Sequence, residues 1–200
     1  MAHQSGAKIL EAAAQAMARA HSYQIVAQYG SGTTSKRMTF DVQAANVGRG
    51  SFSTGTFSFE AEEVGGTDYF RSRDLWAQVG GSALQTALGD RWVYIAANST
   101  TALQLTQAFA SLTSPTQLAA LIRQGQARAL RGPALNVGGE PAITVREPGG
   151  AVFWVATSGP PYLLGGDQPG PTLIHLNRFG ARFGVHRPQH ALSLQSLLAG

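Results

Sequence analysis

Between Tyr23 and Arg71, apolar and polar side chains alternate in runs broken only by short turns. A chain written with that period of two has few options besides antiparallel strands with one buried face. The clearest run is Arg37–Val47, with Met38, Phe40, Val42 and Ala44 on one face and Thr39, Asp41 and Gln43 on the other. Before it, Ser22–Gly30 alternates Tyr23, Ile25, Ala27 and Tyr29 with Gln24, Val26 and Gln28. Gly48-Arg49-Gly50 reads as a turn, Ser51–Glu62 as a third strand with Phe57, Phe59 and Ala61 on its apolar face, and Thr67–Arg71 as a fourth. Connections this short make successive strands antiparallel neighbours.

Helical spacing appears in three other places. Ser5 is placed to cap a helix over Gly6–Ala20, whose Ile9, Leu10, Ala13, Met17 and Ala20 form one stripe. The alternation is lost again over Ser82–Leu88 and Thr101–Gln124, where Leu103, Leu105, Phe109 and Leu112, then Leu118, Leu121 and Ile122, recur at helical intervals. Pro115 suits the first turn of the second helix of this pair, with Ser114 as its cap. Arg91–Ala96 reads as a strand between the helical segments.

Strands resume at Gln126–Arg131, Leu135–Val137, Ala142–Arg146, Ala151–Thr157 and Thr172–Arg178. The last two read as a closing hairpin around a Gly/Pro-rich turn, with Phe153 and Val155 on one face and Trp154 on the other. Leu192–Leu198 is a final helix. The order predicts an α+β protein of one domain over residues 1–200, built on one large antiparallel sheet. So many strands must twist and curl. A sheet curled around the 101–124 insertion would enclose apolar space.

Reaction chemistry leaves no trace in the sequence. With no cysteine, disulfides, thiolate metal sites and cysteine nucleophiles are excluded. The five histidines, His3, His21, His175, His186 and His190, lack metal-ligand spacing, so no metal and no cofactor are expected. No G-x-S-x-G elbow or Walker motif occurs, and Gly48-Arg49-Gly50 with Ser53 fails the dinucleotide pattern. Glu60, Glu62 and Glu63 form the one acidic cluster, and alternation sends Glu60 and Glu62 to a solvent face, so no catalytic residue is assigned.

The net charge of +4 comes from scattered arginines, Lys8 and Lys36 being the only lysines, which argues against a nucleic-acid partner. Charged residues are 13% of the chain, against about 25% for an average domain, so Ser, Thr, Gln, Asn and Gly must cover the surface. No apolar run approaches the roughly 18 residues needed to span a bilayer.

Three groups of residues carry a resemblance to a known family. They are Tyr69-Phe70-Arg71 followed by Leu75-Trp76, then Gly89-Asp90-Arg91-Trp92-Val93, and a close made of Val137-Gly138-Gly139-Glu140-Pro141-Ala142, Val152-Phe153-Trp154-Val155 and Leu176-Asn177-Arg178-Phe179-Gly180. In these segments and in element order the chain resembles the LolA-like envelope lipoproteins of the mycobacterial LppX/LprG type. The resemblance implies an unclosed, strongly curved antiparallel half-barrel whose concave face is covered by helices. It further implies a monomer that holds acyl chains of a lipid or an acylated lipoprotein outside the cytoplasm, tethered to the membrane surface by a lipidated cysteine. The signal segment and that cysteine are not present in this sequence.

Burying an acyl chain is favourable by about 0.8 kcal/mol per methylene and needs no polar motif, so apolar residues are the candidate site. Tyr23, Ile25, Met38, Phe40, Phe57, Trp92 and Trp154 are candidates for the walls, joined by Trp76 and Leu118 and by Phe109 and Leu112 from the 101–124 hairpin, the expected lid. The alternative is a protein-interaction or envelope-sensor domain on the same scaffold, with a filled core and no lipid.

Overall fold

The computed structural model describes residues 4–30, 35–44, 46–95, 114–124, 126–168 and 172–198. Its first half is a meander: β1 (Tyr23–Tyr29), β2 (Lys36–Ala44), β3 (Val47–Ser53), β4 (Ser58–Val64), β5 (Thr67–Arg71) and β6 (Val93–Ile95). The second half is another: β7 (Leu130–Val137), β8 (Glu140–Arg146), β9 (Val152–Ala156), β10 (Leu163–Gln168) and β11 (Thr172–Asn177). Antiparallel pairing of β1 with β11 joins the two meanders, with Ile25 opposite Leu176 and Ala27 opposite Ile174. A short β12 (Leu192–Ser193) adds to β6 in parallel, and the sheet runs β12-β6-β5-β4-β3-β2-β1-β11-β10-β9-β8-β7 without closing. This is the open, curved α+β half-barrel expected.

The helices are α1 (Gly6–Ala18), α2 (Arg73–Leu88), α3 (Pro115–Gln124) and the short α4 (Leu194–Leu198). Ser5 caps α1 by accepting a hydrogen bond from the Lys8 amide, and the Ile9, Leu10, Ala13 and Met17 stripe is fully buried. Ser114 caps α3 in the same way, its hydroxyl accepting from the Gln117 amide. Helix α1 packs on α3 and reaches β7–β10, while α2 is tied to β4, where the Ser58 amide donates to Asp74. Their buried faces join Met38, Phe40, Val42, Phe59 and Phe70 in one core on the concave side of the sheet.

Several boundaries differ from the sequence reading, each for a local reason. Gly48-Arg49-Gly50 is not a turn but the middle of β3. Both glycines face the Phe40 ring: a Cβ would come within 2.7 Å of it at Gly48 and 2.1 Å at Gly50. The lack of a side chain there makes room for the aromatic ring of β2 rather than for a bend. Gly50→Val is therefore expected to destabilise the fold by about 1–3 kcal/mol, the usual cost of overpacking, with the Thr39 carbonyl at 2.5 Å as a second obstacle. A chemical denaturation curve checks it; an unchanged midpoint would show that the Phe40 ring can move away.

The expected strand Ser51–Glu62 splits at a turn in which the Thr54 amide donates to the Phe57 carbonyl at 2.7 Å and the Thr54 hydroxyl accepts from the Phe57 amide. Helix α2 starts at Arg73 rather than Ser82, capped by the Ser72 hydroxyl, and passes through a kink at Gly80-Gly81 that hides its continuity in the sequence. The two strands expected over 126–137 are one, β7, preceded by a short 3-10 turn (Gln126–Arg128) and shifted in register between Arg131 and Ala134, where Gly132 and Pro133 interrupt the alternation. The expected β9–β11 hairpin does not exist, because β10 lies between its arms. Of the expected 101–124 hairpin, α3 is observed; 101–113 lie outside the described residues.

After β11 the chain crosses the convex face. The side-chain oxygen of Gln43 accepts from the Phe183 and Gly184 amides, both at 3.1 Å, and Leu192 donates to the Trp92 carbonyl at 2.9 Å. Phe183 and Val185 are buried there, outside the main core, as is Tyr69, over which Arg187 lies. This strap covers Gln43 and Tyr69 on the outward face of the N-terminal meander and leaves the concave side to the helices.

Candidate functional site

An apolar cleft of about 320 Å³ opens on the concave side, where α3 faces the junction of the two meanders. Leu118, Leu121 and Ile122 project from α3, opposite Ile25 of β1, Phe153 of β9, Leu163 of β10, and Ile174 and Leu176 of β11. Its floor is glycine. Gly166 stands in register between Phe153 on one side and Ile174 on the other, in the row where a third inward side chain would fill the space.

Gly165 and Gly166 are also required by the approach of the neighbouring strands. Gly165 has φ +148° beside a register shift, and a Cβ there would lie 2.2 Å from the Ile174 carbonyl oxygen; at Gly166 it would lie 2.4 Å from that of Val152. The pair therefore does two things: it lets β9 and β11 close on β10, and it leaves the sheet bare beneath α3. Leu121 is 42% exposed although it faces this hollow, so the cleft is open to water beside α3.

The polar groups at the cleft are few. Gln124 ends α3, and Glu147 follows Ile143 and Val145 on the inward face of the β8–β9 hairpin. Burial pushes the Glu147 carboxyl above its ordinary pKa. Among the described residues no group of three or more His, Asp or Glu is placed to hold a metal ion.

The candidate residues divide into four groups. Ile25 and Leu118 line the cleft. Tyr23, Met38, Phe40 and Trp76 are buried in the core, and Phe57 packs against it; none of these five lines the cleft. Burial also pushes the Tyr23 hydroxyl above its ordinary pKa, as expected for a phenol without bulk water. Trp92 and Trp154 are on the other side of the sheet: Arg71 Cζ lies 4.9 Å from the Trp92 ring centroid, and Trp154 meets His175 at a tilt in a small cluster with Ala142, Ala156 and Leu164. Phe109 and Leu112 lie outside the described residues.

Phe153, Leu163, Ile174, Leu176 and Leu121 line the cleft but were not candidates. Phe153 and Ile174 sit in runs read as strands, and the signal that could have found them is the side-chainless pair Gly165-Gly166, which sequence reasoning spent on a turn. Three larger hollows among the described residues, of about 560, 470 and 430 Å³, have mixed polar linings: the first includes His175, Asn177 and Arg178, the second Asp41, Arg49, Glu60 and Arg71, the third Arg73, Asp74 and Asp90. The second is lined by ion pairs, Arg49 with Asp41 and Arg71 with Glu60. None has a lining as apolar as that of the cleft beneath α3.

No family model matches the sequence, and no curated protein sequence does. The fold does match a solved structure, LprF from Mycobacterium bovis, at 13% identity and a TM-score of 0.63, over 92% of this chain and 96% of that one. A LolA superfamily protein from Nitrosomonas europaea also matches, at 9% identity over 90% of this chain and 94% of that one, but its TM-score of 0.31 is too low to argue from. The chain shares the fold of LprF.

Proposed function

We propose that a protein with this fold uses the cleft beneath α3 to hold an acyl chain of a lipid or of an acylated lipoprotein, without catalysing a reaction. The observation that supports it is the glycine-floored apolar hollow of about 320 Å³ between α3 and β9–β11. A water takes about 30 Å³ in the liquid and a methylene is of similar size, so the hollow has room for roughly ten methylenes of one chain. Ten methylenes at about 0.8 kcal/mol each give about 8 kcal/mol, a micromolar dissociation constant before the costs of ordering the chain are subtracted. Subtracting those costs leaves binding weak enough for both loading and release, as carriage requires.

In this reading the chain is a single domain and a monomer, works at the bacterial cell envelope, and meets the membrane surface. Ile25 and Leu118 are walls of the site, together with Leu121, Phe153, Ile174 and Leu176.

Native mass spectrometry after mild purification is expected to show co-purified lipid, and a nonionic fluorescent acyl probe is expected to bind saturably, with a micromolar or weaker dissociation constant. A clean ligand-free mass together with no probe uptake would sink the proposal and leave the filled-core interaction domain as the better reading.

A further inference from the structure

Glu147 is the one acidic side chain at the cleft among the described residues, and its place is fixed by the backbone. Its amide donates to the Ala151 carbonyl at 2.9 Å and its carbonyl accepts from the Gly150 amide at 3.0 Å, so the β8–β9 turn holds it rigidly. Alternation along β8 puts Ile143 and Val145 inward, both in the core, and Glu147 is the next residue on that face. One carboxyl oxygen, Oε1, is buried and has no hydrogen-bond partner among the described residues. Among the described residues no cation lines the cleft: Arg123 of α3 pairs with Glu11 instead, and Gln124 is the other polar side chain in the lining. An acceptor withdrawn from water with nothing donating to it marks a place where a ligand's donor would be favoured.

We infer that Glu147 makes the cleft selective for single-chain amphiphiles whose head donates a hydrogen bond, an amine or an alcohol, over those that end in a carboxylate. This rests on the acyl-chain reading above. The chain would lie along Phe153 and Ile174 over the glycine floor, and the head would emerge at the β8–β9 turn. An ammonium adds an ion pair to its hydrogen bond with the carboxylate, an alcohol donates a hydrogen bond but carries no charge of its own, and a second carboxylate meets like charge and offers no donor.

Calorimetric titration with decylamine, decanol and decanoate at neutral pH and low salt tests it. Decylamine is expected to bind at least about tenfold more tightly than decanoate, the range of a hydrogen bond to a charged group. Glu147→Gln is expected to bring the two within a few-fold while decanol binding stays near wild type, and Glu147→Lys to reverse the order. Equal binding of decylamine and decanoate by the wild-type protein, or a preference that survives both substitutions, overturns the inference while leaving the acyl-chain reading intact. Failure of all three ligands to bind the wild-type protein overturns both.

Discussion

Replacing Trp76 by alanine is expected to cost about 3–5 kcal/mol of stability, the range for removing a buried tryptophan. Trp76 has no exposed surface and sits where α2 meets the concave core. The site has little freedom to collapse around the missing ring. The first turn of α2 is pinned by the Ser72 hydroxyl, which accepts from the Leu75 amide at 3.0 Å and donates to the Ser58 carbonyl, and by Asp74, which accepts from the Ser58 amide at 3.1 Å. At roughly 2–4 °C per kcal/mol for a chain of this size, the melting temperature should fall by about 6–20 °C.

Phenylalanine separates packing from polarity at the same position. The indole Nε1 of Trp76 has no acceptor among the described residues. Burying such a donor costs about 1–3 kcal/mol, which Trp76→Phe would recover while keeping most of the aromatic area. Its loss is expected to be less than half that of Trp76→Ala in the same calorimetric scan. Equal losses would mean that the indole N–H is paired.

The elements that could be read from sequence are those in which one face is apolar and the other polar. Tyr23–Tyr29 and Lys36–Ala44 announce themselves because burial and exposure alternate residue by residue along each. Ser5 and Ser114 mark two helix starts because each hydroxyl accepts from an amide three residues on. Where glycine serves packing, the same logic misleads. Gly48, Gly50, Gly165 and Gly166 all lie within strands, and each is there because a neighbouring ring or carbonyl oxygen occupies the volume a Cβ would need. A lone sequence shows that a side chain is missing but not what fills its place. For Gly166 the answer is partly nothing at all, and that space is the candidate site.

The same limit explains the tryptophans. Aromatic size alone made Trp92 and Trp154 candidates for the cavity wall, but the face each residue takes is set by register. Trp154 is one residue from Phe153 and Val155, so it must point away when they point inward, and it does. Trp92 precedes β6, where no alternation is available to orient it.

Leu121 gives the most direct test of the cleft, because it faces the hollow without supporting the fold. It is 42% exposed on α3, whereas Leu118 and Ile122 beside it are 7% and 1% exposed. Leu121→Glu is therefore expected to change stability by no more than about 0.5 kcal/mol, as surface substitutions do. Its effect on binding should be much larger. A bound chain would cover the exposed part of Leu121, and a carboxylate in its place removes that contact and must itself lose water as the chain enters. Affinity for a nonionic acyl probe is expected to fall by at least about tenfold, equivalent to about 1.4 kcal/mol. Leu130 supplies the control: it is 72% exposed on the edge strand β7 and does not line the cleft, so Leu130→Glu should leave the affinity unchanged. If the two variants bind the probe equally well, the chain is held elsewhere or not at all. If only Leu121→Glu loses it, the space under α3 is the site.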